Sequence, residues 1–147
     1  MAVTKFKLVT DKAFVNFFRD TKLIGIVSRQ KEYELCWQIN RLLGFNFKMN
    51  NELEVMLIKK EKKCYFTVYE YDEPTRFTGH YLYNNHYKAE YLLPALKNID
   101  FIWLVKGSYY NEEEIKWLTE ALKRMNGVQL ITLLKADNLR NKENLIL

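Results

Sequence analysis

Four groups of residues in this chain have side chains able to do chemistry, and their spacing decides what chemistry is open to them. Asp100 stands at the head of an apolar run in LLPALKNIDFIWLVKG (residues 92–107). A carboxylate acts as an acid or base when a second titratable group stands beside it, and the sequence offers none at a defined spacing. The reading is therefore structural: Asp100 is expected to start a strand and to hold the Lys97-Asn98-Ile99 turn by accepting backbone N–H bonds, as short acids do. His80 and His86 are six positions apart. On one extended strand that is about 20 Å, too far for a single ion, and no third or fourth ligand converges on them. Cys36 and Cys64 form no CxxC pair and read as inert buried thiols of a reducing compartment. GxSxG, HExxH and Gly-rich phosphate motifs are absent. No catalytic, cofactor-binding or metal-ligating residue is expected.

The fourth group is a run of rings and cations: Lys62, Lys63, Tyr65, Tyr69, Tyr71, Arg76, Tyr81, Tyr83, Tyr87 and Lys88. On one sheet face, Tyr65, Tyr69, Tyr71, Arg76, Tyr81 and Tyr83 would make a contact surface for a protein partner, because tyrosine and arginine are enriched at interfaces. RFTGHYLY, as an edge strand, would pair across a homodimer. The same rings could stack the bases of RNA or single-stranded nucleic acid. Against that second reading stand Glu70, Asp72 and Glu73 in the same hairpin, which repel phosphate, and the lack of an RNP-like or GXXG element. The preferred expectation is a non-enzymatic contact protein, a homodimer or partner-binding module. Nucleic-acid binding comes second and an enzyme with a dispersed site third. On the preferred reading, Tyr69→Ala and Tyr81→Ala weaken association and leave the thermal midpoint nearly unchanged.

Several elements must position these groups. Residues 4–19 fit either a strand followed by a short helix or two strands. LIGIV (residues 23–27) is short, branched and apolar, a buried strand whose Gly25 marks close approach of a neighbour. In the following segment Leu35, Ile39 and Leu42 recur at helical spacing, Cys36 and Leu43 broaden the stripe and Gly44 suits a left-handed cap, so a helix is predicted over 31–43. ELEVMLI and CYFTVYEY alternate with period two around the charged turn KKEK, and RFTGHYLY follows DEPT as a third antiparallel strand. IDFIWLV is apolar on both faces and belongs in the middle of a sheet. Asn111 is a good N-cap, Glu112 to Glu114 fill a positive first turn, and Ile115, Leu118, Leu122 and Met125 form a stripe, predicting a helix over 112–126. VQLITLLK then returns as a strand, and NLRNKENLIL reads as a pinned terminal segment. The fold class is α+β: a mostly antiparallel sheet of five to seven strands, two helices packed on one face and a C-terminal β-α-β unit. The other face is expected to carry the tyrosines.

With 147 residues, 48% hydrophobic and 28% charged, the chain has the balance of one packed unit and not of a disordered or fibrous segment. Only 5 glycines and 2 prolines leave no linker at which to divide it, so residues 1–147 are taken as a single domain. The net charge of +5 is a mild bias with acids interleaved. No apolar leader follows the first residue and no run of about 18 apolar residues occurs, so the expected location is cytoplasmic, with no membrane contact.

LIGIVSRQKEYELCWQIN, LLPALKNIDF, MNGVQLI and NKENLIL together resemble the IPExxxVDY family, small bacterial proteins of Bacteroidetes without an assigned activity, over residues 23–147. Leu93-Pro94-Ala95 stands where that family has Ile-Pro-Glu, and Ile99-Asp100-Phe101 where it has Val-Asp-Tyr. Ala95 lacks the family's carboxylate and Phe101 its hydroxyl. The resemblance thus implies a structural role for Pro94 and Asp100, and it brings no substrate, cofactor or partner.

Overall fold

A computed structural model describes residues 16–147. Its centre is a six-stranded sheet whose strands are, in chain order, β1 (Thr21–Ser28), β2 (Lys48–Met49), β5 (Val68–Glu73), β6 (Thr78–Asn84), β9 (Phe101–Lys106) and β10 (Val128–Leu134). Every neighbouring pair is antiparallel, in the spatial order β10-β1-β9-β6-β5-β2. Two helices, α1 (Glu32–Leu43) and α2 (Glu112–Lys123), cover one face. Leu35, Ile39, Ile115, Leu118 and Leu122 pack there with Ile24, Ile26, Trp103 and Val105 in one buried cluster. The sequence-expected α+β architecture is observed. In the C-terminal β-α-β unit, β9 and β10 both run antiparallel to β1, which lies between them.

The opposite face is covered as well, which corrects the expectation that it stands open with its tyrosines. A hairpin of β3 (Val55–Lys59) and β4 (Lys62–Phe66), the short β7 (His86–Tyr87) and β8 (Glu90–Tyr91), and a C-terminal turn over Lys142–Leu145 form this second layer. Val55, Leu57, Phe66, Leu92, Leu93 and Leu145 join Leu23, Ile102 and Leu104 in a second buried cluster. The physical reason is β9 itself: five consecutive buried residues, Phe101 to Val105, alternate between the two faces, and both must be shielded from water.

Local signals act as their chemistry requires. The Asn111 side chain accepts a hydrogen bond from the Glu114 amide at 3.1 Å, and Gly44 adopts φ 72° while its N–H closes α1 on the Asn40 carbonyl. Gly25 is needed for space: a Cβ there would lie 3.0 Å from the Thr132 methyl and 3.1 Å from Ile99 Cδ1. Leu42 departs from its expected place and is 57% exposed. At 100° per residue the buried arc of α1 centres on Cys36, Ile39 and Leu43, so Leu42 sits at its margin in the last turn. The expectation for residues 4–19 lies outside the described residues except at 16–19, where 16–18 are helical.

Candidate functional site

The residues singled out by the sequence do not form one surface. Tyr69 and Tyr71 point into the helix-side layer, whereas Tyr81 and Tyr83 point into the other. The register explains it: Tyr69 pairs with Leu82 and Tyr71 with His80, so the tyrosines of β5 share a face with the even-numbered residues of β6. Tyr83 is fully buried and its hydroxyl donates to the Leu145 carbonyl at 2.5 Å; burial raises its pKa well above the ordinary value. Tyr69 is buried, and burial pushes it up to about 12. Tyr65 lies on the outer hairpin and is exposed. Arg76 is partly exposed, over the Tyr109 ring and 3.2 Å from Glu73. RFTGHYLY becomes β6, an interior strand between β5 and β9, so the homodimer edge expected there does not exist.

Beneath Arg76 lies a buried polar cluster. Glu73 Oε1 accepts from His80 Nε2 at 2.9 Å and from the Tyr110 hydroxyl at 3.0 Å. On its other side His80 Nδ1 lies 3.1 Å from Trp103 Nε1. Indole nitrogen can only donate, so Nδ1 must be the unprotonated nitrogen and Nε2 carries the hydrogen. Burial lowers the His80 pKa, with Glu73 acting in the opposite sense. The unfolded chain therefore takes up this proton before the folded one does. Stability from His80 is complete above its ordinary value of 6.5 and declines as pH falls below it, by up to about 1.4 kcal/mol per pH unit. Ring ¹⁵N NMR should find the Nε2–H tautomer persisting below pH 6.5; titration at or above that value would contradict the geometry.

Asp100 also has a different part from the one its sequence context suggests. Asn85, wholly buried, holds the turn instead: its amide donates to the Leu96 and Ile99 carbonyls at 3.0 and 2.9 Å and accepts from the Leu93 N–H at 2.8 Å. Pro94 opens the one-turn helix Pro94–Leu96, where a missing N–H does no harm. Asp100 Oδ2 accepts the Ser28 N–H from β1 at 2.8 Å, and Oδ1 lies 2.9 Å from His86 Nε2. The Asp100 and His86 side chains are 28% and 35% exposed, so this carboxylate pairs with a histidine in contact with solvent. Both His86 and Asp100 line an open cleft of about 540 Å³ at the end of the sheet, together with Arg29, Lys31, Glu32 and Asn84.

A continuous hydrogen-bond chain runs through the cleft. Thr67 Oγ1 donates to Glu32 Oε2, Asn84 Nδ2 donates to the same oxygen at 3.1 Å, and Asn84 Oδ1 accepts the His86 N–H at 2.9 Å. Glu32 belongs to the first turn of α1, so the chain ties that helix to the ends of β6 and β9. Because a carboxylate only accepts, His86 carries its hydrogen on Nε2 and presents a lone pair at Nδ1. The group can accept a hydrogen bond or a proton. Among the described residues no cluster of three or more His, Cys, Asp or Glu side chains could hold a metal ion. Cys36 and Cys64 are free and buried, and burial pushes the Cys36 thiol up, which keeps it unreactive.

Sequence reasoning missed Asn85, Glu73 and the pairing of His86. Asn84 and Asn85 follow a strand, and nothing local shows that an asparagine in that place is buried. The described residues contain no helix long and apolar enough to cross a membrane. No protein-family model and no curated protein matches the chain.

Proposed function

We propose that the chain is a contact protein that pairs with a second copy of itself along β10. The observation that carries this is an unprotected edge. Among the described residues β10 bonds only to β1, and its sequence VQLITLL holds no charge, proline or glycine. Sheet edges are ordinarily blunted by such residues. Leu130 and Leu133 are 55% and 59% exposed.

The flank of α2 supports the same partner. Glu112, Lys116, Glu120 and Lys123 line a groove of about 550 Å³ beside Leu133 and Leu134. A two-fold axis perpendicular to the sheet through Ile131 sets β10 antiparallel to its copy and α2 antiparallel to its copy. The order acid, base, acid, base then places Glu112 against the partner's Lys123 and Lys116 against the partner's Glu120. Lys135 falls opposite the partner's Gly127, so no like charges meet. A self-complementary surface of this kind defines a closed dimer.

Light scattering after gel filtration should find twice the chain mass. Leu130→Lys with Leu133→Lys should give a monomer of nearly unchanged thermal midpoint. Lys116→Glu should weaken the dimer about tenfold by reversing two symmetric contacts, and Lys116→Glu with Glu120→Lys should restore it. A monomer at every concentration, or indifference to the single reversal, would remove the reading. Membership in the IPExxxVDY family is likewise proposed; the turn-opening role of Pro94 and the strand-bridging role of Asp100 support it.

A further inference from the structure

We propose that the cleft around His86 is an oxyanion site that selects a ligand bearing its own O–H, namely monohydrogen phosphate. This inference is independent of self-association and rests on the direction of two hydrogen bonds. The Ser28 N–H fixes one oxygen of Asp100 at 2.8 Å, and the other faces His86 Nε2 at 2.9 Å. The imidazole therefore holds its hydrogen toward Asp100 and offers an acceptor at Nδ1, which makes no hydrogen bond among the described residues. The ring is further pinned against Tyr91, 4.8 Å between centroids. An oriented, solvent-accessible acceptor of this kind takes a ligand that donates.

Charge supplies the rest of the ligand's description. Arg29 and Lys31, both exposed, stand on the cleft with Glu32 and Asp100, so the formal charges balance. The two carboxylates are already engaged, Glu32 by Thr67 and Asn84 and Asp100 by Ser28 and His86, while neither cation has a salt-bridge partner among the described residues. An anion is therefore drawn to Arg29 and Lys31, and the hydrogen bond to Nδ1 decides between anions of equal charge. At mildly alkaline pH phosphate and sulfate are both dianions of similar size, but only phosphate carries a proton. A phosphate monoester dianion carries none either and should behave like sulfate.

Asp100→Asn provides the decisive variant. Because the Ser28 N–H needs an acceptor, the new amide must place its oxygen there and turn its NH₂ toward His86 Nε2. That nitrogen must then be the lone-pair atom, so the hydrogen moves to Nδ1 and the site becomes a donor.

The test is ring ¹⁵N NMR of the full-length protein, whose two histidines are told apart by the variants, titrated with sodium phosphate, sodium sulfate and methyl phosphate. In the native protein, phosphate should shift the His86 signals saturably and bind about tenfold tighter than sulfate or the monoester, as expected when a polar site rejects a ligand lacking the matching hydrogen. Asp100→Asn should remove or invert that preference, and Arg29→Ala with Lys31→Ala should weaken all three anions together. The native comparison stands by itself should a variant misfold. Equal response to phosphate and sulfate, a preference for the monoester, or no saturable shift of His86 would each overturn the proposal.

Discussion

Glu73→Ala is expected to lower the stability of the fold by about 3–5 kcal/mol, the usual consequence of removing one partner from a buried ionic group. One carboxylate serves three donors, His80 Nε2–H, the Tyr110 hydroxyl and the Arg76 guanidinium. His80 and Tyr110 are fully buried, and their freed donors would find neither water nor another acceptor. Glu73→Gln retains one acceptor oxygen and should fall between the variant and the native protein. Urea unfolding followed by circular dichroism measures both. A loss below about 1 kcal/mol for the alanine variant would mean that the cluster adds no more than one ordinary hydrogen bond.

The second large effect concerns rings first read as surface. Tyr69→Ala and Tyr83→Ala should each destabilise by about 3–5 kcal/mol, as truncations of packed aromatic residues do. Tyr65→Ala, on the exposed side of the outer hairpin, should stay within about 0.5 kcal/mol. Tyr83→Phe isolates the hydroxyl: the ring still fills its space, but the Leu145 carbonyl loses its donor at an expected cost of about 1–3 kcal/mol. Thermal midpoints of the four variants, compared with their oligomeric masses, separate core from interface. An unchanged midpoint for Tyr69→Ala would restore the contact role that the sequence suggested.

The elements read correctly from the sequence are those whose evidence is local. The α2 helix announces its cap, its acidic first turn and its apolar stripe within fifteen residues, and β9 declares a two-sided environment by its composition. The side chains that went astray depend on relations between distant segments. Cys64, Phe66 and Val68 share a face as alternation requires, yet the chain passes at Thr67 from the outer hairpin into the central sheet. Tyr65 and Tyr69 consequently have the same parity and opposite fates, one toward water and the other toward the helices. Whether Tyr81 joins Tyr69 depends on whether the β5–β6 register pairs odd with odd or odd with even, and a shift of one residue reverses the answer. The cleft was illegible for a similar reason. Asp100, His86 and Ser28 come from three segments, and only the completed sheet sets a β1 amide and a histidine against the two oxygens of one carboxylate.

The placement of β1 between β9 and β10 bears on how the chain reaches this state. On a ribosome, the β1 segment leaves the exit tunnel long before either neighbour has been translated. Its apolar residues Ile24 and Ile26 must wait for Phe101, Trp103 and Ile131. Assembly cannot advance strand by strand behind the growing polypeptide, and the high sequence separation of these pairings places the chain among slow folders. Nascent chains halted before residue 100 should consequently remain sensitive to protease and bound by chaperones, whereas chains released from the ribosome, with Leu134 clear of the tunnel, should close.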